Sequence, residues 1–367
     1  MILRQKKLKY DKAAEQILDA ILSGSLGENL ILPSEPELGR MLGIGLNTVR
    51  TALRKLETEG IIIKRHGRQS RINPKALRKQ AAPIRRIAWV DTMRITQLNP
   101  IFFDIFRSIS ENTSARNVKL DYIPLNIEAV AENFFRKQHE YDGLILGEFN
   151  PPFLDRIARI THPNTVCVDC PRPGIPHCVK TDNYLGGQLA ARALIDSGCR
   201  CPAVFGYAES IAPHYTPFRE RLRGFLDYLE QAGLPPLTPE RYLTIRSAEE
   251  EDHFSDFLKK RLPVLKKTDS IFSLTDKFAI DLLYSLQELG MRVPDDLAVI
   301  GFDGLSISRF VSPLLTTIRQ PVEEIGHKTL EIVLNPTESK SYPEIIQIPP
   351  TLQPGETLNI SNNYKQK

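Results

Sequence analysis

The chain has 367 residues, which at roughly 100 to 200 residues per domain predicts two or three domains with room for a large buried core. With 41% hydrophobic and 25% charged residues, and no apolar run near the roughly 20 residues of a membrane span, the composition is that of a soluble globular protein and excludes a membrane-embedded one. The net charge of +4 conceals an asymmetry: residues 1–80 hold 16 Lys and Arg against 8 Asp and Glu, a balance of +8, and the remainder stands at −4. A basic head on a mildly acidic body points to a polyanion partner, most often nucleic acid.

The start, MILRQKKLKYDKAAEQ, is basic but lacks an apolar core segment and a small-residue cleavage site, so it is not a secretory signal and a cytoplasmic protein is expected. Five cysteines are an odd count spread through a long chain, unlike a secreted disulfide framework. Cys167-x-x-Cys170 and Cys199-x-Cys201 have half-site spacing for zinc, but Cys167 sits in the strand-like TVCVDC, so buried thiols are the expectation and neither a metal nor a cofactor is.

In the head, Ala14, Ile17, Leu18 and Ile21 recur at helical spacing and predict a helix from about Tyr10 to Leu22. Ser34 with Glu37 three residues on has capping-box spacing, and Pro36 is tolerated in a first turn, so a second helix runs from Ser34 to about Leu42. Gly43-Ile44-Gly45 makes a tight turn. A third helix then buries Val49, Ala52, Leu53 and Leu56 and shows Asn47, Arg50, Thr51 and Arg54 outward. Two short helices around a glycine-bearing turn, the second with a polar, basic face, form a helix-turn-helix pattern. IIIKRHGRQSRI follows as a basic hairpin turning at His66-Gly67-Arg68, placed to act as a wing.

LPSEPELGRMLGIGLNTVRTALRKLETEG with that hairpin resembles the winged helix-turn-helix of GntR-type transcription regulators over residues 8–72. The resemblance implies binding to double-stranded operator DNA as a homodimer, with contacts from Ser34, from Leu46, Asn47, Thr48, Arg50 and Arg54 of the recognition helix, and from His66, Gly67 and Arg68 of the wing. Two departures stand out: Pro36 replaces a usual basic residue, and Gly45-Leu46 replaces a common Ser-Arg. Leu46 offers apolar contact, such as to a thymine methyl, where arginine would fork onto guanine.

Residues 73–84 read as a linker, with two prolines and no periodicity. The body then alternates strand-like runs (RIAWVD, KLDYIP, DGLILG, TVCVD, PAVFGY, RYLTI, SIFSL, LAVIGFD) with helical stretches, the pattern of an α/β protein with parallel sheets in two lobes. Ligands of such sheets bind beyond the carboxyl ends of strands, where Asp91, Asp169, Asp276 and Asp303 fall, with Asn99 and Arg221 on neighbouring segments. Asp276 also reads as a helix N-cap, and Trp89 as core. No Walker, dinucleotide-binding, G-x-S-x-G or H-E-x-x-H motif occurs, so an enzyme is not expected.

NPIFFDIFRSI, VKTDNYLGGQLAARALIDSG, RERLRGF, SLTDKFAIDLLYSLQELGMRVPDDLAVIGFDG and SPLLTTIRQPVEEIGHKTLEIVL are similar to the sensor domains of LacI/GalR-type regulators, which look like type I periplasmic sugar-binding proteins. The resemblance covers about residues 85–360 and implies two lobes crossed three times, near Asp182, near Thr317 to Gln320 and near Ser339. Lobe 1 would hold residues 85–182 and 319–337, and lobe 2 residues 183–318 and 338–360. It also implies effector contacts from Ile101, Phe102, Asp169, Arg221, Thr275, Asp276 and Asp303. Joined, the halves have the arabinose-repressor type of architecture, a ligand-responsive regulator whose small sugar effector alters operator affinity. A purine or another metabolite is the alternative effector, and a cytoplasmic carbohydrate-binding or hydrolytic protein the alternative class.

Overall fold

The computed structural model describes residues 9–22, 26, 30–64, 69–73, 85–93, 99–113, 116–208, 216–335 and 344–359. The chain divides into two compact units, Met1–Ile84 and Arg85–Lys367. The expected linker, residues 73–84, lies outside the described residues except for Asn73.

In the first unit, α1 (Lys9–Leu22), α2 (Glu35–Leu42) and α3 (Leu46–Thr58) precede a two-stranded antiparallel ribbon of β1 (Ile62–Ile63) and β2 (Arg71–Ile72). The apolar stripes read from the sequence meet here: Ile17 and Ile21 of α1, Leu38 of α2 and Val49, Ala52, Leu53 and Leu56 of α3 are buried together with Leu32 and Ile72. The capping box is present, with the Glu37 carboxylate accepting from the Ser34 amide at 2.8 Å and the Ser34 hydroxyl at 2.7 Å. Gly43 ends α2 in the left-handed region at φ 64°, where a side chain would be strained, and its amide donates to Gly39 O. The Lys55 ammonium donates to Asp11 at 2.5 Å and ties α3 to α1.

The second unit holds two six-stranded sheets. The first contains β3 (Arg85–Asp91), β4 (Val118–Pro124), β5 (Gly143–Leu146), β6 (Thr165–Val168), β7 (His177–Thr181) and β13 (Glu344–Ile348), in the order β13-β7-β6-β5-β3-β4, all parallel. The second contains β8 (Pro202–Tyr207), β9 (Tyr242–Ile245), β10 (Ser270–Ser273), β11 (Ala298–Asp303), β12 (Thr316–Arg319) and an antiparallel edge strand β14 (Thr351–Gln353), in the order β14-β12-β11-β10-β8-β9. All eight strands expected in the body form.

Each sheet is buried on both faces, as parallel sheets require. Along β3, Ile87 and Trp89 enter one apolar cluster and Ala88 and Val90 the opposite one. The first cluster lies under α4 (Pro100–Thr113) and α12 (Val322–Leu334), the second under α5 (Glu128–Lys137). In lobe 2, Ile271 and Val299 face α9 (Phe254–Lys259) and α11 (Asp276–Glu288), while Phe272 and Ile300 face α6 (Asn183–Asp196) and α7 (Thr216–Gln231). The short helices α8 (Ala248–Asp252) and α10 (Leu262–Leu265) flank α9. No described helix is long and apolar enough to cross a membrane.

The third crossing corrects the sequence expectation. It was placed near Ser339, with residues 338–360 in lobe 2, but Glu344–Ile348 pairs with β7 in the lobe 1 sheet and only Thr351–Gln353 joins lobe 2. The polar run before 344 reads like a crossing, yet the backbone partner of this segment is the open edge of β7, which local sequence does not reveal. The change of sheet comes at Pro349-Pro350, two residues without an amide donor for a ladder.

Helices α6 and α7 approach unusually closely through glycine. A Cβ on Gly187 would lie 2.0 Å from Arg221 O, and one on Gly224 would lie 1.9 Å from Tyr184 O. We expect Gly224→Ala to force the helices apart and lose about 2 kcal/mol of lobe 2 stability. Urea unfolding reads this directly, and a midpoint equal to that of the parent would show that the contact relaxes without loss.

Candidate functional site

The head and the two-lobed body each assemble a polar site. On α3, Leu46, Asn47, Arg50, Thr51 and Arg54 are exposed and Thr48 is half-buried, so the outer face is available along its first two turns. Gly45 caps α3 without a side-chain bond, which leaves the amide-rich N-terminus open toward an anion. Arg50 is not free-swinging. Its Nε donates to Glu35 Oε2 at 2.8 Å, and the same carboxylate accepts from Lys64 Nζ, just past β1, at 3.4 Å. These two cations hold the Glu35 carboxyl below its usual range. Ser34 has a local role, its hydroxyl directed to Glu37 in the cap rather than outward. His66, Gly67 and Arg68 lie outside the described residues.

In the body, Asp169 follows β6 and Asp303 ends β11, and both adopt positive φ, 67° and 131°. Non-glycine residues there are strained, and such strain gathers at binding sites. Asp303 is the hub of a buried network. Its Oδ1 accepts from Gln320 Nε2 at 2.7 Å and Arg221 Nη1 at 3.2 Å, and Gln320 Oε1 accepts from Thr181 Oγ1 at 2.6 Å. Arg221 also donates to Asn183 Oδ1 at 2.8 Å and Leu274 O at 2.6 Å, and lies 3.7 Å from the centroid of the Phe302 ring. Burial pushes the Asp303 carboxyl up to about 7, against the pull of Arg221. This network joins β7, α6, α7, β11 and the end of β12, and the chain passes between lobes just after β7 and just after β12.

The structure reassigns several residues expected at the effector. Ile101 and Phe102 are nearly fully buried in the lobe 1 core, because their place on α4 points them into the apolar stripe shared with Ile105 and Ile109. Thr275, not Asp276, is the N-cap of α11, accepting from the Phe278 amide at 3.3 Å. Asp276 is a fully buried strut: Oδ1 accepts from Thr317 Oγ1 at 2.6 Å, and Oδ2 from the Leu305 amide at 2.8 Å and Ser308 Oγ at 2.7 Å. Asp169 and Asp303 lie at the carboxyl ends of β6 and β11, and Arg221 on α7 donates to Asp303.

Sequence reasoning missed Glu35, Thr181, Asn183, Gln320 and Glu148. Gln320 lies within the second expected crossing, the only signal it carried. Glu148 follows β5, its Oε2 accepting from the Asn99 amide at 3.4 Å. Burial, with the Asp91 charge nearby, pushes its carboxyl up to about 7. Asp91 accepts from the Trp89 indole at 3.2 Å and from the amides of Met93 and Glu148, and burial raises it to about 6. Burial thus raises two neighbouring carboxyls at the ends of β3 and β5 in lobe 1.

Two family models match the chain: bacterial regulatory proteins of the gntR family over residues 9–72, and a periplasmic binding protein-like domain over residues 191–358. The ribose operon repressor of Escherichia coli (strain K12) is 26% identical over 330 residues, covering 86% of this chain and 97% of that protein. The arabinose metabolism transcriptional repressor of Geobacillus stearothermophilus is 27% identical over 366 residues, covering 94% and 95%. Among solved structures, a LacI family transcriptional regulator from Enterococcus faecium with bound ribose shares the fold at a TM-score of 0.58 and 22% identity, covering 74% of this chain and 98% of that one. The chain thus carries a gntR-type helix-turn-helix domain followed by a periplasmic binding protein-like sensor domain.

Proposed function

We propose that the protein represses carbohydrate-utilisation genes, binding a pseudo-palindromic operator as a cytoplasmic homodimer and changing its operator affinity when a small sugar enters the cleft between the lobes. It performs no chemistry on the sugar. The observation that carries this reading is the Arg221–Asp303–Gln320–Thr181 network, which ties Arg221 and Asp303 of lobe 2 to Thr181 and Gln320, residues beside two of the crossings between lobes. A hydroxylated ligand that engages Arg221 and Asp303 acts on those segments directly, and it shifts the protein only by binding its two arrangements unequally. The ribose and arabinose repressors among its relatives favour a pentose. Lobe 2 carries exposed Phe310, Ile307 and Tyr284, apolar surface available for pairing of two sensors.

The test uses the full chain in two arms. Selection from a randomised duplex pool at physiological salt should enrich one palindromic sequence. Thermal unfolding with D-ribose, L-arabinose, other monosaccharides, sugar phosphates and purines should show one sugar that stabilises the protein by about 2.7 kcal/mol at a hundredfold excess over its Kd. An unenriched pool sinks the DNA-binding reading. A purine hit would replace the sugar and keep the regulator.

A further inference from the structure

Lys180 occupies an unusual place for a lysine. It lies in β7 between buried Val179 and Thr181, and its side chain is only 2% exposed. Its ammonium donates to both oxygens of Glu220, at 2.6 and 2.5 Å. β7 belongs to the lobe 1 sheet and Glu220 to α7, which packs in lobe 2, so this ion pair bridges the lobes. A second contact crosses the same seam: the Cys170 thiol, beyond β6, lies 3.7 Å from the Thr216 hydroxyl at the start of α7.

Sequence neighbours close these contacts into a ring. Lys180 precedes Thr181, and Glu220 precedes Arg221, while Thr181 connects through Gln320 and Asp303 back to Arg221. The bridge therefore fixes the helix that carries Arg221 against the strand that leads into the first crossing. A buried ammonium is tolerated only when paired, and separation of the lobes returns both charges to water, so the pair adds little net stability but specifies one geometry. Its two short bonds are satisfied by a single relative placement of β7 and α7.

We propose that the Lys180–Glu220 pair is an interlobe clasp that holds the sensor in the arrangement seen here, with Lys180 a positioning residue for Arg221. The proposal rests on the reading of the cleft as the effector site, but its test needs neither effector nor DNA. Hydrogen–deuterium exchange of the full chain, without added ligand, is followed on peptides spanning 179–186, 216–222 and 317–322. Glu220→Lys faces Lys180 with a like charge from a position one third exposed, where the new ammonium can turn toward solvent. It should raise exchange in these three segments at least tenfold and leave β5 and β10 unchanged. The exchanged pair Lys180→Glu with Glu220→Lys should return all three to within about twofold of the parent. Unchanged exchange in Glu220→Lys would overturn the clasp. So would increased exchange that spreads into β5 and β10, or that the double variant does not reverse, since general destabilisation has no reason to be cured by restored complementarity.

Discussion

Replacing Asp276 by alanine is expected to destabilise the sensor by about 4 kcal/mol, the largest single-residue effect in the body, because it strands three buried donors at once. Thr317 Oγ1, Ser308 Oγ and the Leu305 amide all point at its two oxygens, and the carboxyl is fully buried. Loss of one buried partner leaves a donor short by about 1 to 3 kcal/mol, and relaxation or an entering water recovers part of the total. Those donors sit on β12, on the turn at 306–310 and just after β11, so their release loosens the segment that leads to Gln320 and the second crossing. Urea unfolding of the full chain, with tryptophan fluorescence and circular dichroism both recorded, measures the loss. Were Asp276 an effector contact instead, alanine would leave the unfolding midpoint nearly unchanged and abolish only the ligand-induced shift. Asp303→Asn supplies the contrast: it keeps the shape of the hub and should weaken effector binding more than stability.

Arg50→Ala should lower affinity for the selected duplex about a hundredfold, near the upper end of the 1 to 3 kcal/mol carried by one bidentate arginine–guanine pair. The geometry explains the size. With Nε held by Glu35, the two Nη groups are free of that bond, and part of the ordering entropy of a long side chain is already lost before DNA arrives. No other arginine lies on the first two turns of α3, where Leu46 offers only apolar contact. Fluorescence anisotropy at fixed salt, against duplexes changed one base pair at a time, should show the loss concentrated at one position of each half-site. Arg54→Ala should weaken all duplexes alike through a phosphate contact. A change of less than threefold for Arg50→Ala would remove this residue from the reading surface.

The division of labour between sequence and tertiary structure follows interaction range. Every strand and helix expected in the body forms, because alternation along RIAWVD and helical spacing along KFAIDLLYSLQELG report burial that each segment meets wherever it packs. The capping box at Ser34 and Glu37 and the turn at Gly43 are equally local, and the head was legible almost whole. Site residues were legible in part: Arg221 and Asp303 meet in one buried network, whereas Ile101 and Phe102 turn into the core. An aspartate after a strand looks the same in sequence whether it meets a ligand or, like Asp276, three donors from residues 29 to 41 positions away.

What the sequence by itself determined, then, is the helices of the head, eight of the twelve described body strands, the two-part organisation and the chemistry available at the strand ends. Tertiary structure alone decided the third crossing, the Glu35 brace on Arg50 and the bridge from Lys180 to Glu220. Each depends on which distant backbone edge or charge a segment meets, and that is fixed only when the sheets assemble and the lobes close on their shared strands.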